Sequence, residues 1–133
     1  SRLFFNRIKF SKLKRLYLDN NKIRDEGIKY LSKANFPNLK ELKLDFNQIR
    51  PEGVKYLSQA NFTKLQKLNL DFNEIGPEGT KYLSQANFPN LKKLNLLEKD
   101  FKTVWPKEKH ALKLKKNNLF DLKYRNQFFK III

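Results

Sequence analysis

Residues 39–64 read LKELKLDFNQIRPEGVKYLSQANFTK, and residues 65–90 read LQKLNLDFNEIGPEGTKYLSQANFPN. The two stretches align without a gap. Residues 13–38, LKRLYLDNNKIRDEGIKYLSKANFPN, align with both, so the period is 26 residues. Repetition at this length marks stacked supersecondary units, each too small to bury its own apolar face alone. A fourth copy opens with LKKLNL at 91–96 and then loses the pattern, with Lys99 where Asn belongs and Phe101 where Ile belongs. Counting backward, Phe4, Phe5 and Phe10 fall one period before Tyr30, Leu31 and Phe36, so residues 1–12 read as the tail of a truncated preceding repeat. Ser1 then stands in the column of Gly27, in the middle of a unit, and the chain is expected to be a piece of a longer array. The organisation read from this is a tail at 1–12, repeats at 13–38, 39–64 and 65–90, and a degenerate repeat with a C-terminal cap or tail at 91–133.

Each unit begins with leucines that alternate with polar residues, as in LKL and LNL, which is the period of a strand with one buried face. Strands this short need pairing, and parallel pairing of successive units needs a crossover, here a helix over PEGVKYLSQA. Pro51 and Pro77 suit the first helical position, where an N–H would have no partner. Glu26, Glu52 and Glu78 follow, where negative charge complements the helix N-terminus. Ile28, Leu31 and Ala34 form one inward stripe. Gly27, Gly53 and Gly79 are unfavourable in a helix, so their repetition predicts close packing. Phe36, Phe62 and Phe88 are expected to stack in the turn that returns to the next strand. The asparagine after each strand can both donate and accept, which suits it to the backbone groups of successive turns.

The pattern L-x-x-L-x-L-x-x-N-x-I is carried by Leu13, Leu16, Leu18, Asn21 and Ile23 and recurs in the next two units. It resembles the leucine-rich repeat. The second half, IRPEGVKYLSQANF, resembles the ribonuclease-inhibitor-like and GALA-like subclasses. The resemblance implies an α/β leucine-rich-repeat right-handed solenoid, a horseshoe segment with parallel strands on the concave face and helices on the convex face. It also implies a ladder of Asn21, Asn47 and Asn73, and a concave face that binds partners.

At 133 residues the chain has the length of one domain, with 40% hydrophobic residues and a formal charge of +16. It contains no cysteine, which excludes disulfides and thiolate chemistry, and small extracellular domains often need such staples, which tilts the expectation toward an intracellular home. No stretch has the roughly 18 apolar residues of a membrane span. The basic excess is 23 Lys against 6 Arg, alongside 15 Asn. Lys and Asn, like Ile and Phe, have AT-rich codons, so base composition can account for the charge without selection for binding. The charge is also spread out, with 15 basic and 9 acidic side chains over residues 13–96.

After the structural letters are removed, five columns remain on the strand face. The ones singled out for partner contact are Tyr17, Lys43 and Asn69, then Asp19, Asp45 and Asp71, then Phe46 and Phe72, the last standing in the column of Asn20. Exposed phenylalanines are costly unless a partner or neighbouring loops cover them. Aspartates on strands about 4.8 Å apart are expected to form a repelling row, relieved by a basic partner group, a bound cation or lysines such as Lys43 and Lys67. Lys29, Lys55 and Lys81 read as a solvated outer helix face.

No catalytic constellation emerges: His110 is the single histidine and lies in the irregular tail, and no P-loop or GxGxxG occurs. No cofactor or metal site is expected. In the tail, Leu112, Leu114, Asn117 and Leu119 keep a fragment of the pattern, and Trp105, Phe120, Phe128 and Phe129 favour burial, in this chain or against a partner; a divergent capping unit is the expectation, with a weakly structured tail as the alternative. The expected function is a monomeric, non-enzymatic module that binds another protein through its concave face. The alternatives are a nucleic-acid or anionic-surface binder driven by basic patches, and the recruiting segment of a larger effector or ubiquitin-ligase-type protein.

Overall fold

The structure is a computed structural model in which residues 10–96 are described. The expected tail of an earlier repeat therefore lies, but for residues 10–12, outside the described residues. So do residues 97–133, with the expected cap or tail, Trp105 and His110.

Strands and helices alternate along the chain: β1 (Arg15–Tyr17), α1 (Arg24–Lys33), β2 (Glu41–Lys43), α2 (Pro51–Ser58), β3 (Lys67–Asn69), α3 (Gly76–Gln85) and β4 (Lys93–Asn95). The strands form one open sheet in the order β1-β2-β3-β4, and every pairing is parallel. One sequence period produces no register shift, because Leu16, Leu42, Leu68 and Leu94 face one another along the sheet. Each strand has three residues. Such strands are held by stacking rather than by their own length. Leu39, Leu42, Leu44, Leu65, Leu68 and Leu70 bury their side chains against Ile28, Val54, Leu57 and Leu83 of the helices, in one continuous core. At the first unit, Leu13, Leu16, Leu18 and Ile23 are only partly buried.

The helices start as their sequences direct. Pro51 opens α2, and Pro77 sits in the first turn of α3, next to Glu52 and Glu78. The first unit has Asp25 where the later ones have proline, and this residue has a different task. Its Oδ1 accepts the backbone N–H of Arg50 at 2.8 Å, tying the start of α1 to the residue that precedes α2. The expected close packing at the glycines is present. A methyl group on Gly53 would meet Ile49 Cγ2 at 2.8 Å and the Asp25 backbone at 3.2 Å.

Two internal ladders run along the array. Asn47 and Asn73 are almost fully buried. The Asn73 Oδ1 accepts the N–H groups of Asn47 and Ile49, both at 3.0 Å. Its Nδ2 donates to the carbonyls of Leu44, Leu70 and Asp71. Asn47 does the same for the preceding unit, through Asn21 and Ile23 on one side and Leu18, Leu44 and Asp45 on the other. Each amide thus serves five backbone groups that no regular element satisfies. The second ladder is aromatic: Phe10, Phe36, Phe62 and Phe88 form a row with ring centroids 5.1, 6.1 and 6.3 Å apart.

Candidate functional site

β1, β2 and β3 each run into a left-handed bend. Asn20, Phe46 and Phe72 occupy the same place in the three units, with φ of 55°, 56° and 57°. The bend follows the strand at once, since the amides of Asn20 and Phe46 still bond across to the carbonyls of Asp45 and Asp71 in the next unit. It delivers the following asparagine into the interior. Asparagine tolerates this conformation; a bulky residue there is a genuine outlier costing about 1–2 kcal/mol. The fold therefore explains Asn20 and does not explain Phe46 or Phe72.

The two phenylalanines stack face to face, with centroids 4.1 Å apart and planes 7° from parallel. Parallel strands about 4.8 Å apart set identical side chains at nearly this spacing. Even so, Phe46 is 48% exposed and Phe72 47% exposed. The stack recovers part of the backbone cost, about 0.5–1.5 kcal/mol, and leaves a hydrophobic ledge in water.

The other residues expected on this face divide. Tyr17, Lys43 and Asn69 share one column of the sheet. Tyr17 is exposed, and the Lys43 ammonium lies over its ring, 4.4 Å from the centroid. Asn69 turns inward along its own chain, its Oδ1 accepting the N–H of Asp71 at 2.9 Å. The expected exposed row of three aspartates does not form. Asp19 is exposed, Asp45 is half-buried and Asp71 is buried, at 6% exposure. The same left-handed bend follows all three, so the backbone conformation is shared while exposure falls from the first unit to the third. The expected relief through Lys43 gives way to the contact with Tyr17.

The columns nearer the start of each strand are basic. A broad, open depression of about 520 Å³ is lined by Lys14, Arg15, Lys40, Glu41, Gln66 and Lys67. A second, of about 210 Å³, continues it past Lys43, Lys67 and Lys93. Glu41 is engaged by Arg15 at 3.7 Å. Among the described residues, no group of three or more histidine, cysteine, aspartate or glutamate side chains could hold a metal ion, and no helix is long and apolar enough to cross a membrane.

Three stretches, residues 11–32, 37–58 and 63–84, match the family described as Leucine Rich repeat. The chain belongs to the leucine-rich repeat family. It matches no curated protein. Leucine-rich repeats generally serve as protein-interaction modules, typically non-enzymatic ones. In this leucine-rich repeat chain, the ledge stands past the ends of the strands, the larger depression lies near their beginnings and the smaller one runs along their length.

Sequence reasoning found the aromatic pair but not the backbone conformation beneath it. A signal was available: Asn20 in the same column is the residue a left-handed bend favours. The contact of Lys43 with Tyr17 was also missed, because it depends on side-chain conformation rather than spacing. On the helix side, the lysine column is less uniformly solvated than expected. Lys29 and Lys55 are half-buried, with the Lys29 ammonium 5.8 Å from the centre of the Tyr56 ring, and Lys81 is exposed.

Proposed function

We propose that this leucine-rich repeat chain is a non-catalytic binding module that engages another protein through its concave strand face, with Phe46 and Phe72 as the anchor and Tyr17, Lys43 and the rim of Asp19 and Asp45 around them. One observation carries the reading. Two large aromatic side chains are held in a conformation that disfavours them, stacked on each other and left about half exposed. The fold requires the left-handed bend in every unit and the first unit fills it with asparagine; phenylalanine there is a local cost of the kind that functional surfaces carry, and aromatic residues are the usual anchors of interfaces. Asp71 supports the surface from within, and half-buried Asn69 lines the depression beside Lys43 and Lys67.

The test is site-specific photocrosslinking in extracts of the source cells. A benzoylphenylalanine at position 17 faces the proposed partner, and one at Gln59, exposed at the end of α2, faces away from it. A discrete protein adduct is expected from position 17 and not from position 59. It should fall at least tenfold when Phe46→Asn and Phe72→Asn are introduced together, as loss of an anchor of about 2 kcal/mol or more implies. Adducts that form equally from position 59, or that survive the double substitution, would refute the reading.

A further inference from the structure

We infer that the partner segment is acidic and extended, with a bulky apolar side chain about six residues away from its carboxylates. This rests on the reading that Phe46 and Phe72 form the anchor site.

The strand face sorts its chemistry along the strands. One end carries Lys14, Lys40 and Lys92 in the column before the strands, with Lys67 and Lys93 beside them. The only carboxylate in those two columns over the described residues, Glu41, is drawn to Arg15. The depression of about 520 Å³ opens between Lys14, Lys40 and Lys67. It offers room for carboxylates among their flexible ammonium groups, which bind as point charges. The other end carries the aromatic ledge. From Lys40 to Phe46 is six residues, or about 20 Å at 3.3 Å per residue. An extended peptide spans that distance with about six residues of its own. A segment with carboxylates at one end and an apolar side chain at the other complements both ends at once. Its charged end would speed association and select against basic partners.

Single-stranded nucleic acid fits less well, although basic grooves with aromatics are its usual platform. A phosphate backbone carries its charge evenly and would meet Asp19 and Asp45 before it reached the ledge. The faces of Phe46 and Phe72 that look at each other are already in contact at 4.1 Å, so no base enters between them. A protein segment can keep its charge away from the aspartates.

The experiment selects binders from a displayed library of random 16-residue peptides on the full chain. Three variants are run in parallel: F46N/F72N, K40E/K67E on the strand face, and K33E/K81E on the helix side with the same change in net charge. Enriched peptides are expected to carry clustered Asp and Glu about six residues from Trp, Phe, Leu or Ile. Synthetic versions should bind at least tenfold more weakly to K40E/K67E than to K33E/K81E, and more weakly in 300 mM than in 50 mM NaCl. F46N/F72N should remove the advantage of the apolar residue and keep the preference for acids. Apolar enrichment without acids would overturn the acidic partner while leaving the aromatic anchor intact. Acidic enrichment unaffected by F46N/F72N would overturn the anchor itself. Equal loss with both lysine variants, no enrichment at all, or tighter binding of a 16-nucleotide single-stranded RNA than of any selected peptide would each overturn the inference.

Discussion

Two phenylalanine columns run through the same repeats under opposite constraints. Phe36 and Phe62 are buried in the turn between helix and strand, and the rings of the column are tilted or offset at 5.1–6.3 Å as a packed interior requires. Phe46 and Phe72 stand at the far end of the strand, closer together at 4.1 Å, nearly parallel, half exposed and on left-handed backbone. The residue type and the 26-residue spacing are the same; the physical role is not. The buried column is what closes each unit. The exposed pair is carried at a cost to the unit, and the same place in the first unit holds an asparagine without loss of the fold.

The comparison can be broken most forcefully from its buried side. Phe62→Ala removes a ring that is 1% exposed and lies between two others, and should lower unfolding stability by about 3–5 kcal/mol in a urea titration followed by circular dichroism. A loss below about 1 kcal/mol would remove the distinction between the columns. Asn73→Ala should cost about 3 kcal/mol in the same assay, because it strands backbone groups in two successive turns. Phe46→Ala with Phe72→Ala should cost less, about 1–2 kcal/mol, since the stack is lost while alanine keeps a side chain on left-handed backbone. Asn20→Phe sharpens the comparison further. It should extend the exposed stack to three rings with a stability change within about 1 kcal/mol, the new contact offsetting the new strain. Increased binding of a hydrophobic dye such as ANS would register the longer ledge.

The fold was legible in the sequence because its causes repeat. Leucine alternation, the buried asparagine and the returning phenylalanine each recur at 26 residues and act through contacts between equal positions of neighbouring units, so an in-phase alignment already describes the packing. The candidate surface was legible only as a set of outward positions. Alternation assigned all three aspartates to solvent, but exposure in this column falls from Asp19 through Asp45 to buried Asp71, a gradient along the array that a rule applied within one strand does not carry. Lys43 was expected to face an aspartate and instead covers Tyr17, a choice among side-chain conformations that spacing leaves open. The left-handed backbone under Phe46 and Phe72 was written in their column as Asn20.

The most direct measurement is the unfolding free energy of F46N/F72N against the unaltered chain. Asparagine suits the bend, so relief of strain should offset the lost stack and half-burial, and stability is expected to stay within about 1 kcal/mol. A loss of about 3 kcal/mol or more, comparable to that of Phe62→Ala, would make the exposed stack part of the scaffold and contradict its assignment to a partner.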